Sequence, residues 1–492
     1  MNKKEPLSRK LTFGIFYLLS SSIATLGINV ITVGFVARSL GVKNFGLYSA
    51  IFSFVGLFEF LGDFGLNRTL LKFGSTDLSK AQISFGNALL IKSTLIFPLI
   101  ASVTCFGLLA GYRNEEIIIL ELFTISLVLD SYATVFSSIR RILGNFKLIS
   151  FFRVLKTSIN LLIIVIALSV NNSVLSLAIA NTLLSLVIFI VSLINTVLLL
   201  KPKLQLNLIK DFFKDSAIFS LNDFFLNIYD KISTVLLSFF SEFHSVGIFS
   251  AALKFTKIAN LLPNQVRFAL LPTLYRLLED RVQNPEAKAE KPRKLFTVLL
   301  KYLVIFATPA ALLMYFFSDQ IIHLIFGEKY DLSITLVQLL SLFIYLRFLE
   351  APFNLFYIAL HKHKNLAYLQ GCACLLNIIL NLILIPLYSS CGACYATLLS
   401  EIFFSLMLIS IGIKYSIWDL KNVLMILLKP TIAGAASITL MTVLLSKANV
   451  LTQLLLLLIS YFVFLLVMKV FDGEDKKLLK KIFTKRDVMM VE

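Results

Sequence analysis

A set of ionisable side chains stands near the middle of long apolar runs of this chain. They are Glu59, Asp130, Asp223, Asp230, Lys231, Lys254, Lys257, Arg347, Glu350 and Glu401. A charge in bilayer hydrocarbon costs at least about 2.5–3.5 kcal/mol, so each must face a partner or a wet cavity. Lys254 and Lys257 are three apart and share a helical face with Asn260 and Asn264, with no carboxylate of their own run in reach. That face suits an anion bound in a cavity; pairing with Asp223 or Asp230 is the competing arrangement. Asp223, Asn227 and Asp230 form a polar stripe at i, i+4, i+7. Asp223, Asp230 and Glu59 are candidates to bind a proton or sodium ion. Arg347 and Glu350, three apart, can pair with each other. Lys92, Arg153, Lys156, Arg267, Lys301 and Lys429 lie nearer the ends of their runs, where a long stem lets the charge snorkel to headgroups or reach a ligand.

The elements that position these groups are membrane helices. The chain has 492 residues, 58% hydrophobic and 15% charged, with a mean hydropathy of +0.87. Soluble domains average roughly 45–50% apolar and about 25% charged. Apolar runs of about 18–20 residues, enough to span a bilayer as a helix, recur from end to end. The spans expected are 11–37, 46–67, 86–111, 116–138, 148–170, 173–200, 216–240, 245–272, 296–316, 333–360, 366–389, 391–412, 422–446 and 451–471. The first is too long for the apolar region of a signal peptide. The fold class is all-α: a polytopic membrane protein of about fourteen transmembrane helices.

The net charge of +18 suggests nucleic acid only until its distribution is read. Alternate connections hold thirty-one Lys and Arg residues, and the remaining connections hold five. The positive-inside rule makes the basic side, with both termini, cytoplasmic. The charge is a topology and lipid signal, with no nucleic-acid partner. Cys391 and Cys394 have no second pair and no His nearby, so they read as small packing residues and no metal is implied.

An internal repeat divides the chain. Gly46-Leu-Tyr-Ser-Ala50 recurs as Gly247-Ile-Phe-Ser-Ala251, and Thr182-Leu-Leu-Ser185 as Thr397-Leu-Leu-Ser400. Two pseudo-symmetric six-helix lobes are expected, 1–200 and 216–412. A cytoplasmic linker at 201–215 joins them, and 413–492 holds two C-terminal helices with a basic tail. Parallel repeats of this kind place the substrate path between them. Residues 273–295 read as a polar surface helix or mobile loop. No connection is long enough for an extramembrane domain.

Three segments carry a family resemblance. Ala37-Arg-Ser-Leu-Gly-Val-Lys-Asn-Phe-Gly-Leu-Tyr48 follows the first span, Ile325-Phe-Gly-Glu-Lys-Tyr330 precedes the tenth, and Asn377-Ile-Ile-Leu-Asn381 leads through Pro386 to Gly392-Ala-Cys-Tyr-Ala-Thr-Leu-Leu-Ser-Glu401. Together the sequence resembles the polysaccharide-exporter, Wzx-type flippases of the MOP transporter superfamily. It departs mildly, with Ser389 where glycine is usual and Cys394 where alanine is usual. The motifs make sense as structure: Gly41 and Gly46 for a tight turn, Asn377 and Asn381 for bonds to another helix, with Glu401 a partner for either.

The resemblance implies a flippase, with no enzymatic activity and no cofactor. It would move a polyprenyl-diphosphate-linked oligosaccharide, an O-antigen or exopolysaccharide repeat unit, across the cytoplasmic (inner) membrane by alternating access. Membrane lipids and a polysaccharide polymerase are its further partners. On this reading Lys254 and Lys257 hold the diphosphate, helped by Lys231 and, on the cytoplasmic side, by Arg153, Lys156 and Arg267. The alternatives are a cation-coupled multidrug exporter of the same superfamily, whose cavity would be anionic, and a membrane glycosyltransferase or polymerase, which would need a large outer loop.

Overall fold

The computed structural model describes residues 7–471 except 75–76, 145, 260–261, 268–269, 272–273, 276–277, 279–289, 361, 415–419 and 446–447. Asn260, most of the 273–295 connection and the basic tail therefore lie outside the described residues. Those described form helices and short connections. In chain order the helices are α1 (Leu7–Leu57), α2 (Glu59–Asp63), α3 (Leu66–Gly74), α4 (Leu78–Leu109), α5 (Asn114–Ile142), α6 (Phe146–Val170), α7 (Val174–Leu199), α8 (Ile209–Phe240) and α9 (Phe243–Ala259). There follow α10 (Glu290–Phe316), α11 (Ser318–Ile325), α12 (Leu332–Ala359), α13 (His363–Lys414), α14 (Leu420–Leu445) and α15 (Val450–Val467).

Eleven of the described helical segments are long and apolar enough to cross a membrane. The chain is a multi-pass membrane protein. Two of the eleven, Ser20–Leu57 and Lys364–Ser410, have 38 and 47 residues. At 1.5 Å per residue each far exceeds the roughly 30 Å of a bilayer core. Both contain a break. Gly41 sits at φ 71°, ψ 171° inside α1, and Ser389 at φ 49°, ψ −123° inside α13. These are the two places where the sequence predicts tight turns between consecutive spans. The span expected at 216–240 falls on α8, which is not among the eleven and carries Asp223, Asp230 and Lys231 in its apolar stretch.

The chain divides into two compact units. The first is Met1–Ile258, Asp319–Leu336 and Ala367–Ser400; the second is Ala259–Ser318, Val337–Leu366 and Glu401–Glu492. In the first, Leu66, Leu70, Phe85, Phe136, Leu200 and Phe212 form one buried cluster. In the second, Ile305, Ala433, Tyr461 and Leu465 pack together, and the Tyr461 hydroxyl donates to the Ile305 carbonyl at 3.0 Å.

The resemblance motifs act as fasteners in the first unit. Arg38 donates to the carbonyls of His323 (2.8 Å), Leu324 (2.6 Å) and Ile325 (3.1 Å). A cation there satisfies the open carbonyls at the C-terminus of α11. Gly327 turns the chain at φ 89°, and the buried Tyr330 hydroxyl donates to the Ala37 carbonyl at 3.0 Å. Asn377 donates to Ser400 Oγ at 2.9 Å, and Asn381 to Ser233 Oγ of α8 at 3.0 Å. The asparagines thus hydrogen-bond to neighbouring helical segments as the motif predicts, and in the second unit Glu401 pairs with Arg347 at 2.5 Å. The repeat glycines meet. A Cβ on Gly46 would collide with the Phe243 carbonyl, and one on Gly247 with the Val42 carbonyl, so only glycine lets α1 and α9 approach this closely.

Candidate functional site

A break between α2 and α3 opens the site. Phe64 adopts a left-handed conformation at φ 45°, ψ 33°, and Gly65 follows at φ 69°. The chain therefore runs α1, α2, α3 as a discontinuous helix, with Glu59, Asp63 and Asn67 four residues apart along it. Broken helices at membrane depth are tolerated where they line a cavity. Here all three residues line one of about 870 Å³, wholly within the first unit.

Five carboxylates line the cavity, Glu59, Asp63, Asp130, Asp223 and Asp230, against three lysines, Lys156, Lys231 and Lys257. Asn29, Asn160, Asn181 and Asn227 add neutral hydrogen-bonding groups, and Tyr48, Phe52, Phe60 and Phe123 add aromatic surface. Most of the charge is paired. Lys231 donates to Glu59 at 2.7 Å and to the Gly56 carbonyl at 2.9 Å. Gly56 is where the Lys231 stem needs space, since a Cβ would overlap it. Lys156 pairs with Asp130 at 2.7 Å, and Arg68 with Asp223 at 2.7 Å.

One helix organises much of this pairing. Asp215, Asp223 and Lys231 recur every eight residues on α8 and meet Lys72 (2.6 Å), Arg68 (2.7 Å) and Glu59 (2.7 Å). Eight residues rise about 12 Å, so the pairs form a ladder between α8 and the broken helix, with the sign reversed at its Glu59 end. Each is partly exposed, and pairs of this kind contribute about 0–1 kcal/mol. They can break at small cost.

Among the described residues, Asp63, Asp230 and Lys257 have no oppositely charged partner within ion-pair distance. Asp63 accepts from Asn67, which also donates to Thr134 at 2.9 Å. Lys257 is exposed to the cavity. Lys254, one turn earlier on α9, is half-buried and does not line it. Arg153 lies one turn from Lys156 on α6 and donates to Ser22 at 3.2 Å, without reaching the lining. Arg267 belongs to the second unit. The structure thus brings Lys257, Lys231, Lys156, Asp223, Asp230 and Glu59 to one cavity. The reading of the sequence passed over Asp63 and Asn67. Their signal was the four-residue spacing from Glu59, hidden because Phe64-Gly65 looks like the plain end of a span.

These features can be set beside known proteins. The model for the family described as polysaccharide biosynthesis protein matches residues 35–335. The chain belongs to this family. Among curated proteins, none matches it. Its fold is similar to those of several solved membrane proteins. It resembles lipid II flippase MurJ in its inward closed conformation with a TM-score of 0.72 at 15% identity, covering 95% of this chain and 100% of that one. A multidrug resistance MATE family transporter in an inward-facing conformation gives 0.62 at 14% identity, over 80% and 98%. A MOP superfamily transporter from Pyrococcus furiosus, described as having a binding pocket of reversed polarity, gives 0.60 at 14% identity, over 82% and 95%.

Proposed function

We propose that this polysaccharide biosynthesis protein is a flippase for a polyprenyl-diphosphate-linked oligosaccharide, an O-antigen or exopolysaccharide repeat unit, working by alternating access in the cytoplasmic membrane. The observation that carries the reading is a polar cavity of about 870 Å³ enclosed by apolar helices in a chain of this family. Asparagines and aromatic faces suit sugars. Lys257, exposed and without a counter-ion among the described residues, suits the diphosphate, because a cation replaces the water an anion loses on leaving solvent. Lys231 and Lys156 join it when their carboxylate partners let go. The thirty-one-to-five basic asymmetry supports cytoplasmic termini, and the recurrence of the Gly46 motif at Gly247 supports lobes 1–200 and 216–412.

A second reading, a cation-coupled drug exporter, draws support from the five carboxylates of the lining. Three of the five already hold a basic partner, which leaves little net negative field, and the family match favours the glycan. A deletion strain separates the two. The flippase reading expects lipid-linked oligosaccharide to accumulate in the cytoplasmic leaflet. Unchanged glycan with increased sensitivity to cationic drugs would select the exporter.

A further inference from the structure

Glu350 lies on α12 in the second unit and is 1% exposed. Its Oε1 accepts from Ser405 of α13 at 2.7 Å. Its Oε2 receives no hydrogen bond from any described residue. What Glu350 faces is the fully buried carboxyl of Glu401, held against the same Arg347 guanidinium. Arg347, one turn away, has its Nε 2.5 Å from Glu401 Oε1 and a terminal nitrogen only 3.9 Å from Glu350 Oε2. The guanidinium also lies 4.8 Å from the Phe343 ring centre. Its charge thus lies nearer Glu401 than Glu350.

Two ionised carboxylates are acceptors only and cannot hydrogen-bond to each other. In contact and out of water, they repel, and desolvation disfavours the charged form of each. A proton on Glu350 Oε2 removes both costs, since the new hydroxyl donates to Glu401 and the orphaned oxygen gains a bond. The charged groups acting on Glu350 are Glu401 of α13 and Arg347 of its own helix, with Ser405 as the neutral donor. The phenols of Tyr345 and Tyr461 interact with each other instead.

We propose that Glu350 is a proton-binding site, that the Glu350–Glu401 pair holds one proton in the closed protein, and that this proton is exchanged with water during the transport cycle. On release the Glu350 O–H bond breaks, the proton passes to water, and a second carboxylate is left beside Arg347. The repulsion then favours a conformation that hydrates the pair. The exchange step rests on the transport reading; the bound proton does not.

Infrared difference spectroscopy of the purified full chain in nanodiscs, titrated with acid and base, reads the proton directly. A protonated-carboxyl C=O band is expected at neutral pH and should be lost in Glu350→Gln, whose amide keeps the shape and donates to Glu401. Ser405→Ala leaves both carboxyls in place, so the band should remain but move in frequency as the Ser405 hydrogen bond is lost. No such band in the unsubstituted chain, or the same band in Glu350→Gln, overturns the site. A pH-sensitive dye inside proteoliposomes tests exchange. Adding polyprenyl-diphosphate-linked oligosaccharide should move protons with the unsubstituted chain and not with Glu350→Gln. Equal proton movement in both overturns the exchange step. A chain that shows the band but moves no glycan would fail the transport reading while leaving the proton site in place.

Discussion

In the proposed flippase, Lys257 is the residue on which substrate recognition turns. It shares the cavity with Lys231 and Lys156, but those two are already in contact with carboxylates at 2.7 Å. Recruiting either requires breaking a pair, whereas Lys257 can meet an anion directly. A charge-assisted hydrogen bond is worth about 1.5–3 kcal/mol, or roughly a 10- to 100-fold change in binding. Lys257→Gln should therefore lower glycan export about 10-fold or more at unchanged protein level, and Lys257→Arg should retain most of it. Export assayed by surface glycan, with the protein quantified in the membrane, checks this; equal export in both variants would remove Lys257 from the site. The presence of embedded charges was legible in the sequence, because each interrupts an apolar run. Their partners were not. Lys231 stands next to Asp230 in sequence, yet successive residues on a helix point about 100° apart, and Lys231 turns to Glu59, 172 positions away. The cation-lined cavity expected from the lysines alone becomes a cavity of neutralised pairs for the same reason.

At the scale of the element, the two breaks in α1 and α13 were readable from Gly41 and from the Pro386-to-Gly392 segment, because turn chemistry is local. The serine at 389 stands where the resembling family has glycine, and its φ of 49° with ψ of −123° is a conformation glycine adopts freely. The α2–α3 break was not readable, since Phe64 gives no sign that it will adopt a left-handed conformation. The fastener at α11 has a pH dependence of its own. His323 Nε2 lies 2.7 Å from Asp331 Oδ1 and Nδ1 lies 3.0 Å from Asp319 Oδ1. The hydrogen bond to Asp331, followed by the negative charge of Asp319, Asp331 and Glu328, raises its pKa above the usual 6.5. A raised folded-state pKa gives stability that is complete below 6.5 and is lost as pH rises through the folded value. Hydrogen exchange of residues 318–331 should accordingly quicken as pH rises through that window, after correction for intrinsic exchange. His323→Gln should remove the dependence. An unchanged profile in that variant would show that Arg38, which holds the same carbonyls, fixes the segment alone.

At the scale of the molecule, the all-α membrane architecture followed from hydropathy, because each span must satisfy its own backbone in lipid and only a helix does so. Alternating access asks for contacts that hold one state and yield cheaply. The ladder of Lys72–Asp215, Arg68–Asp223 and Glu59–Lys231 has that character, since partly exposed pairs contribute little each yet exchange readily for an anionic ligand. The basic residues of 201–215 put the Lys72–Asp215 end towards the cytoplasm on the topology proposed here, so opening the ladder would admit a substrate from the inner leaflet. The most direct measurement is transport by the purified chain in proteoliposomes carrying a polyprenyl-diphosphate-linked oligosaccharide in one leaflet, read by an impermeant glycan-cleaving enzyme on the other side. Flippase activity at this cavity makes the glycan accessible with the unsubstituted chain and about 10-fold more slowly with Lys257→Gln. Glycan that stays protected, in vesicles that instead accumulate a cationic dye, would contradict it.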